Sequence, residues 1–425
     1  MLPTDILEEE QEQQNFQTYQ IYQKMRRIAF YRLYRTAKSP IFIGFAALFF
    51  AICYIYIFQP HFPDELKKSY FGEPDLIITS PPIQRRSLNS PNTYDIGILL
   101  IVSEGADLSE YQLAINTLKC YSKLHHYGFH IEWVNNTWYE LCGQKQFMFI
   151  RHCIASNLLH KHEWTLFLDA DVAVINPTRL IDTFVQENEK VADLIFFDRF
   201  FDWEIAAGSY LAKNSNYSKE FLMKFANSEF SLPNSFSGSD NGAIHWFFVE
   251  QFFGNYTSQL NSNDCYKIWE ISKNFDDLFV YEACCRLILG ETRLFHDPSG
   301  KGTVKVLPKG EAWMRDGWIT DTKWSQEVDF MLHGWKHSIE MPTIDEANAW
   351  SRASFRLKFG KWYRAIQNPT FDLNSCSNGT ITWKWWSTYM ISKIELQNLL
   401  MKKRVKVRQQ FFQFQALIPK YLKKL

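Results

Sequence analysis

The chain has 425 residues, with 46 Lys and Arg against 46 Asp and Glu, so its formal net charge is zero. That balance excludes nucleic acid as the main partner, because no excess of cationic side chains exists to neutralise phosphates. The length suits one large domain or two medium ones with flanking segments, and 17% aromatic residues suit a filled core or a sugar-stacking surface equally.

Taken in chain order, the first distinctive stretch is "PIFIGFAALFFAICYIYIFQP", in which Ile41 to Phe58 carries no charge and no strongly polar side chain. At about 1.5 Å rise per residue it would span about 27 Å, close to the hydrocarbon thickness of a thin bilayer. Lys24, Arg26, Arg27, Arg32, Arg35 and Lys38 precede it in a stretch without an acidic residue, whereas "HFPDELKK" on the other side is mixed. The positive-inside bias therefore predicts a cytosolic tail at 1–40, a transmembrane signal-anchor at 41–58 and a large C-terminal part across the membrane. A cleavable signal peptide would begin nearer Met1 and have a shorter apolar region. Acceptor sequons at Asn135, Asn216, Asn255 and Asn378 all fall in the predicted lumenal part. So do Cys120, Cys142, Cys153, Cys265, Cys284, Cys285 and Cys376, an odd set that predicts disulfides with at least one thiol left over. No C-x-x-C pair is present, so a cysteine zinc site is not expected.

Residues 59–93 are rich in Pro, Ser and charge and read as an extended stem. Ordered structure is predicted from "YDIGILLIVS", with a strand at Ile96 to Val102, followed by a helix carrying Leu113, Ile115, Leu118, Tyr121 and Leu124 at helical spacing. "FHIEWV" is a second strand, "QFMFIRHCIASNLLHKH" a helix and Trp164 to Leu168 a third strand. "RLIDTFVQENEK", "DLIFFD" and "SKEFLMKFANSEF" continue as helix, strand and helix. The alternation predicts an α/β domain over 94–345, its sheet largely parallel with helices on both faces. Residues 346–425 read as a helical extension, basic near its end, either solvated or in contact with a membrane or partner.

The candidate chemistry lies in "EWTLFLDADVAVINP". Asp169 and Asp171 follow an apolar strand, and ligands of open α/β sheets bind beyond the carboxyl ends of strands. Two carboxylates there suit a hard divalent ion, Mn²⁺ or Mg²⁺, that also takes phosphate oxygens. The plainer reading is a solvated acidic turn or a helix N-cap pair, but apolar residues continue through Val172 and Ile175.

"LFLDADVAVINP" resembles the metal-binding Asp-x-Asp of nucleotide-sugar glycosyltransferases with the GT-A fold, and the resemblance covers most of Tyr94 to Ser338. Tyr121 with His125-His126-Tyr127-Gly128, and Gly208, Ser209, Tyr210, Leu211, Asn214 and Ser215, resemble segments of the fungal α-galactosyl- and α-mannosyltransferase family. Asn241 stands where that family has Gln, and Ala206 where Asn is common. As a whole, the chain resembles a nematode-expanded group of glycosyltransferase-like type II membrane proteins.

The resemblance implies a GT-A domain, a Rossmann-like mixed sheet flanked by helices, that transfers a hexose from a UDP- or GDP-sugar to a glycan or glycoprotein hydroxyl, with retention. It implies a third metal ligand at His333, with Gly334 and Lys336 beside the diphosphate and Asp169 shared between ion and nucleotide. Asp240 and the backbone at Gly208 would border the reacting sugar. Trp203, Glu204 and Trp335 are further sugar-contact candidates, though core packing is the commoner role for tryptophans. A Golgi address follows, with the endoplasmic reticulum as the other; homo- or hetero-oligomerisation is left open. Two rivals stand beside this reading. A haloacid-dehalogenase-like phosphohydrolase would use Asp169 as nucleophile and Asp276-Asp277 as its later acidic pair, and an inactive type II membrane lectin or scaffold would keep only the fold.

Overall fold

A computed structural model describes residues 76–88, 93–254, 262–341 and 361–425. The expected signal-anchor, the cytosolic tail and the Asn255 sequon lie outside the described residues. Among the described residues, no helix is long and apolar enough to cross a membrane.

The elements run as β1 (Ile77–Thr79), β2 (Ile96–Val102), α1 (Gln112–His125), β3 (Gly128–Trp133), α2 (Asn136–Cys142), α3 (Phe147–Leu158), β4 (Trp164–Leu168) and β5 (Val172–Val174). Next come α4 (Ile181–Gln186), β6 (Leu194–Phe197), β7 (Ser209–Lys213), α5 (Asn216–Asn227), α6 (Ser239–Phe253), α7 (Ser262–Glu270) and α8 (Phe275–Leu289). The chain then forms β8 (Leu294–His296), β9 (Thr303–Leu307), β10 (Met314–Asp316), β11 (Met331–His333), β12 (Glu340–Met341) and β13 (Trp362–Tyr363). It closes with α9 (Leu373–Asn378), β14 (Lys384–Trp386), α10 (Lys393–Gln415) and α11 (Ile418–Leu422).

Seven strands form one sheet in the order β3-β2-β4-β7-β6-β9-β8. β2 is parallel to β3 and β4, but β7 runs antiparallel to both β4 and β6. The sheet is thus mixed, as the GT-A resemblance implies, and less parallel than strand–helix alternation alone suggests. Both faces are covered, which is why β2 is apolar without alternation. Ile96, Ile98 and Leu100 belong to one core with α1 and β14, and Leu99 and Ile101 to a second with α3, α5, α6 and α8.

The stem and the C-terminal segment depart from expectation in part. β1 pairs antiparallel with β14, and Arg86 donates to Asp182 Oδ1 at 3.0 Å, so residues 76–88 are packed structure. The stretch beginning "WKWWSTYM", expected to be helical, starts instead with the strand β14. Trp383 and Trp385 are buried, and the Trp385 ring N–H donates to Ile175 O at 2.9 Å. Alternating buried Trp at positions 383 and 385 is a strand period, and tertiary burial overrides the helical reading. Helix begins only at α10, behind a capping box of Ser392 and Glu395. Cys120–Cys376 ties the segment to α1, Cys142–Cys153 and Cys265–Cys284 are local, and among the described residues Cys285 is the free thiol, buried. Asn135, Asn216 and Asn378 are exposed.

Candidate metal centre

β4 ends at Leu168, and the Val172 N–H donates to Asp169 O at 3.2 Å to make the tight turn that carries both aspartates. Beyond the turn, β5 joins a small sheet in the order β10-β11-β5. Its register sets His333 beside Val172 on one side and beside Asp316 on the other. The backbone carbonyl of Asp171 accepts from the Gly334 and Trp335 N–H groups at 3.1 and 2.9 Å, locking the two segments together. Strand pairing therefore unites residues that lie more than a hundred and sixty positions apart in the chain.

His333 Nε2 lies 3.2 Å from Asp171 Oδ1 and 4.0 Å from Asp169 Oδ2, and one donor atom from each of the three residues falls within 4.8 Å of the others. His333 Nδ1 lies 2.9 Å from Asp316 Oδ1, which fixes the ring orientation and leaves Nε2 facing the aspartates. Asp316 is in turn held by Arg199 at 3.1 Å, and Arg199 by Glu204 at 2.8 Å. Two carboxylates, one imidazole and a carboxylate behind the imidazole fit a hard divalent cation such as Mn²⁺ or Mg²⁺. Lys336 Nζ is 3.4 Å from Asp171 Oδ2 and is half-buried.

Burial opposes the charge of His333, yet Asp171 and Asp316 outweigh it and raise its pKa to about 10. Burial raises the carboxyl pKa of Asp171 too, but His333 and then Lys336 hold it well below the usual range. Without a cation, the imidazolium thus supplies the local positive charge, and a metal must displace its proton. We expect Mn²⁺ binding near neutral pH to release about one proton, with apparent affinity rising about tenfold per pH unit as pH increases toward 10. Calorimetry in buffers of different ionisation enthalpy measures this directly. His333 also adds stability to the metal-free fold below its unfolded pKa near 6.5, and that contribution disappears as pH rises through about 10.

Gly208 precedes β7, and continuing the β4–β7 ladder by one residue sets it opposite Asp169. A Cβ there would lie 2.0 Å from Asp169 Oδ2, so only glycine leaves the carboxylate in place. Gly208→Ala is expected to keep the fold while weakening Mn²⁺ binding by about 10–100-fold, the usual cost of misorienting a ligand; thermal melting alongside a Mn²⁺ titration separates the two effects. Gly334 adopts φ +102° against the Trp318 ring, a conformation and a space that exclude a side chain.

The cleft beside the triad has a polar wall that includes Asp169, Arg199, Ser209, Asn241, Asp316 and His333. Asp240 does not line it. It is 1% exposed on the first turn of α6, where Arg151 bridges it to Asp169, with Arg151 Nη1 2.5 Å from Asp169 Oδ1 and Nη2 paired to Asp240 Oδ2. His152 Nε2 adds a contact to Asp240 at 3.2 Å. Asp240 is therefore withdrawn from the cleft into the Arg151 pair, and Asn241 is the neighbour that reaches the cleft. Trp203 packs among Phe279, Phe411 and Phe414, and Trp335 stacks on Trp362 with ring centroids 4.8 Å apart, so both serve the core. Glu204 is buried beneath Arg199. Asp276 and Asp277 open α8, where Asp277 accepts from the Lys273 N–H and the Tyr421 hydroxyl, and neither lines the cleft; a phosphohydrolase would need them there. Sequence reasoning missed Arg151, Arg199 and Asp316. Arg151 alone leaves a trace, a single cation inside the apolar helix "FMFIRHCIASNL".

The family profile described as "Protein of unknown function, DUF273" matches residues 118–348, more than half of the chain. The chain belongs to the DUF273 family. Its match takes in Asp169, Asp171, Gly208, Asp240, His333 and Lys336. No curated protein matches this DUF273 chain. Among solved structures it is similar to a glycosyltransferase involved in the glycosylation of the major capsid of PBCV-1, at 19% identity over 32% of this chain and 68% of that one, with TM-score 0.27. It is also similar to A197 from STIV, at 17% identity over 30% of this chain and 67% of that one, with TM-score 0.20. Overlaps that shallow carry no weight for function.

Proposed function

We propose that this DUF273 protein is a metal-dependent glycosyltransferase of the GT-A type, moving a hexose from a nucleotide-diphospho-sugar to a glycan or glycoprotein hydroxyl. The observation that carries the proposal is the convergence of Asp169, Asp171 and His333 at the carboxyl end of β4 beside a polar cleft. Those three residues would hold Mn²⁺ or Mg²⁺, and the chemistry such an ion supplies when bound is neutralisation of charge on a departing diphosphate.

The protein's own residues do the rest. Lys336 places a second positive charge next to Asp171, where a diphosphate would lie. Asp316 keeps the His333 ring oriented, and Arg151 keeps Asp169 from turning away. Arg199 and Asn241 offer hydrogen-bond donors to sugar hydroxyls in the cleft. Asp240 is withdrawn into the Arg151 pair, and the retaining outcome that the fungal family resemblance implies does not require it as a base. Anchoring by residues 41–58, a lumenal Golgi placement and glycosylation at the sequons complete the proposal.

A sugar-nucleotide hydrolysis screen on residues 76–425 with Mn²⁺ tests it. That span keeps β1 paired to β14. Metal-dependent release of UDP or GDP from one sugar nucleotide, lost in Asp171→Ala, is the expected result; saturable nucleotide binding without turnover on any donor or acceptor would instead favour an inactive scaffold.

A further inference from the structure

The helix α10 has two apolar stripes on opposite sides. Leu396, Leu400 and Val407 are buried against the domain, with Phe411 and Phe414 packed beside Trp203. On the outer side, Ile394, Met401, Val405 and Phe412 are 71%, 49%, 40% and 52% exposed. Their spacings of seven, four and seven residues return each side chain to nearly the same angle on an α-helix, so they form one line along α10. Isolated exposed apolar residues need no explanation, but four aligned on a single helix face leave a continuous unpartnered strip.

Charge identifies what would cover it. From Leu396 to Leu425 there are eight Lys and Arg and no Asp or Glu, in a chain whose net charge is zero. Lys402, Arg404, Lys406 and Arg408 border the strip and are exposed. A second copy of the helix would set these cations against themselves, at a cost in repulsion. A surface carrying negative charge above an apolar layer satisfies both parts: the four apolar side chains enter the layer, and the basic side chains reach the charge at its boundary with their stems lying along the interface.

We propose that the outer face of α10 docks on an anionic lipid bilayer, laying the helix along the membrane plane and orienting the domain that carries the metal centre. This proposal rests on α10 alone and is independent of the glycosyltransferase reading and of the lumenal placement that goes with it.

The test places an environment-sensitive fluorophore at Val405→Cys in the full chain with Cys53→Ser. The labelled protein is compared in nanodiscs of phosphatidylcholine with and without phosphatidylserine. Protein without Val405→Cys controls for labelling elsewhere. In phosphatidylserine discs the emission should shift to the blue and be quenched by brominated acyl chains. Both effects should be lost in Lys402→Glu/Lys406→Glu, while the near-ultraviolet circular dichroism stays unchanged. A fluorophore that remains open to aqueous iodide in both lipids overturns the proposal. So does equal burial with and without phosphatidylserine. Burial that appears without lipid and grows with protein concentration also overturns it, and would assign the face to a second copy.

Discussion

Asp171→Asn should abolish metal-dependent sugar-nucleotide turnover, lowering it by roughly a thousandfold or more, while leaving the fold intact. The substitution keeps the side-chain size and removes the negative charge that faces both His333 and Lys336. Mn²⁺ titration should show the same loss of binding, because an amide oxygen is a far weaker ligand than a carboxylate for a hard cation. Stability should move in a readable direction as well. Without Asp171, the His333 imidazolium loses its main anionic support against burial, so its pKa should fall from about 10 and less of its charge should persist above neutral pH. Two-dimensional NMR of the histidine ring as a function of pH follows that change apart from catalysis.

Arg151→Met should cost about 3–5 kcal/mol of folding stability, as expected when one member of a buried ion pair is removed and its partners stay charged. Burial disfavours the charge on Arg151, and Asp240 and then Asp169 restore it. Burial likewise raises Asp240, and Arg151 brings it below the ordinary carboxylate range. Removing the guanidinium leaves two carboxylates without that support, one of them a proposed metal ligand. Asp240→Asn in the Arg151→Met background should recover part of the loss, because it removes the stranded buried charge. A thermal or urea unfolding cycle with the two single variants and the double variant measures the coupling. If Arg151 only filled space, the double variant would be the sum of the singles.

Much of the frame can be read from the residues. Ile96 to Val102 and Trp164 to Leu168 are strands in sequence and in structure because both faces of the sheet are buried, which demands unbroken apolar runs. The acidic pair is legible for the same reason: two carboxylates between apolar runs at the end of a buried strand favour a site over a solvated turn. What the sequence conceals is pairing at a distance. β11 reaches β5 through a register that no local pattern announces, and Asp316 enters the site only because β10 lies alongside β11. Asp240 resembles a cleft residue in its motif but points into the interior, because Arg151 lies between it and Asp169. The tryptophans of the C-terminal segment resemble a helix in composition, yet they alternate to fill a core that also contains β2 and α1. Helix propensity is weak beside the burial of side chains that large.

The most direct measurement is anomalous diffraction at the manganese edge from crystals of residues 76–425 soaked with Mn²⁺ and UDP or GDP. A single strong peak within bonding distance of Asp169, Asp171 and His333 Nε2, with diphosphate oxygens on its open side, is the predicted result. No peak there at saturating metal and nucleotide, or a peak that leaves His333 paired to Asp171 as it is without metal, would contradict the central claim.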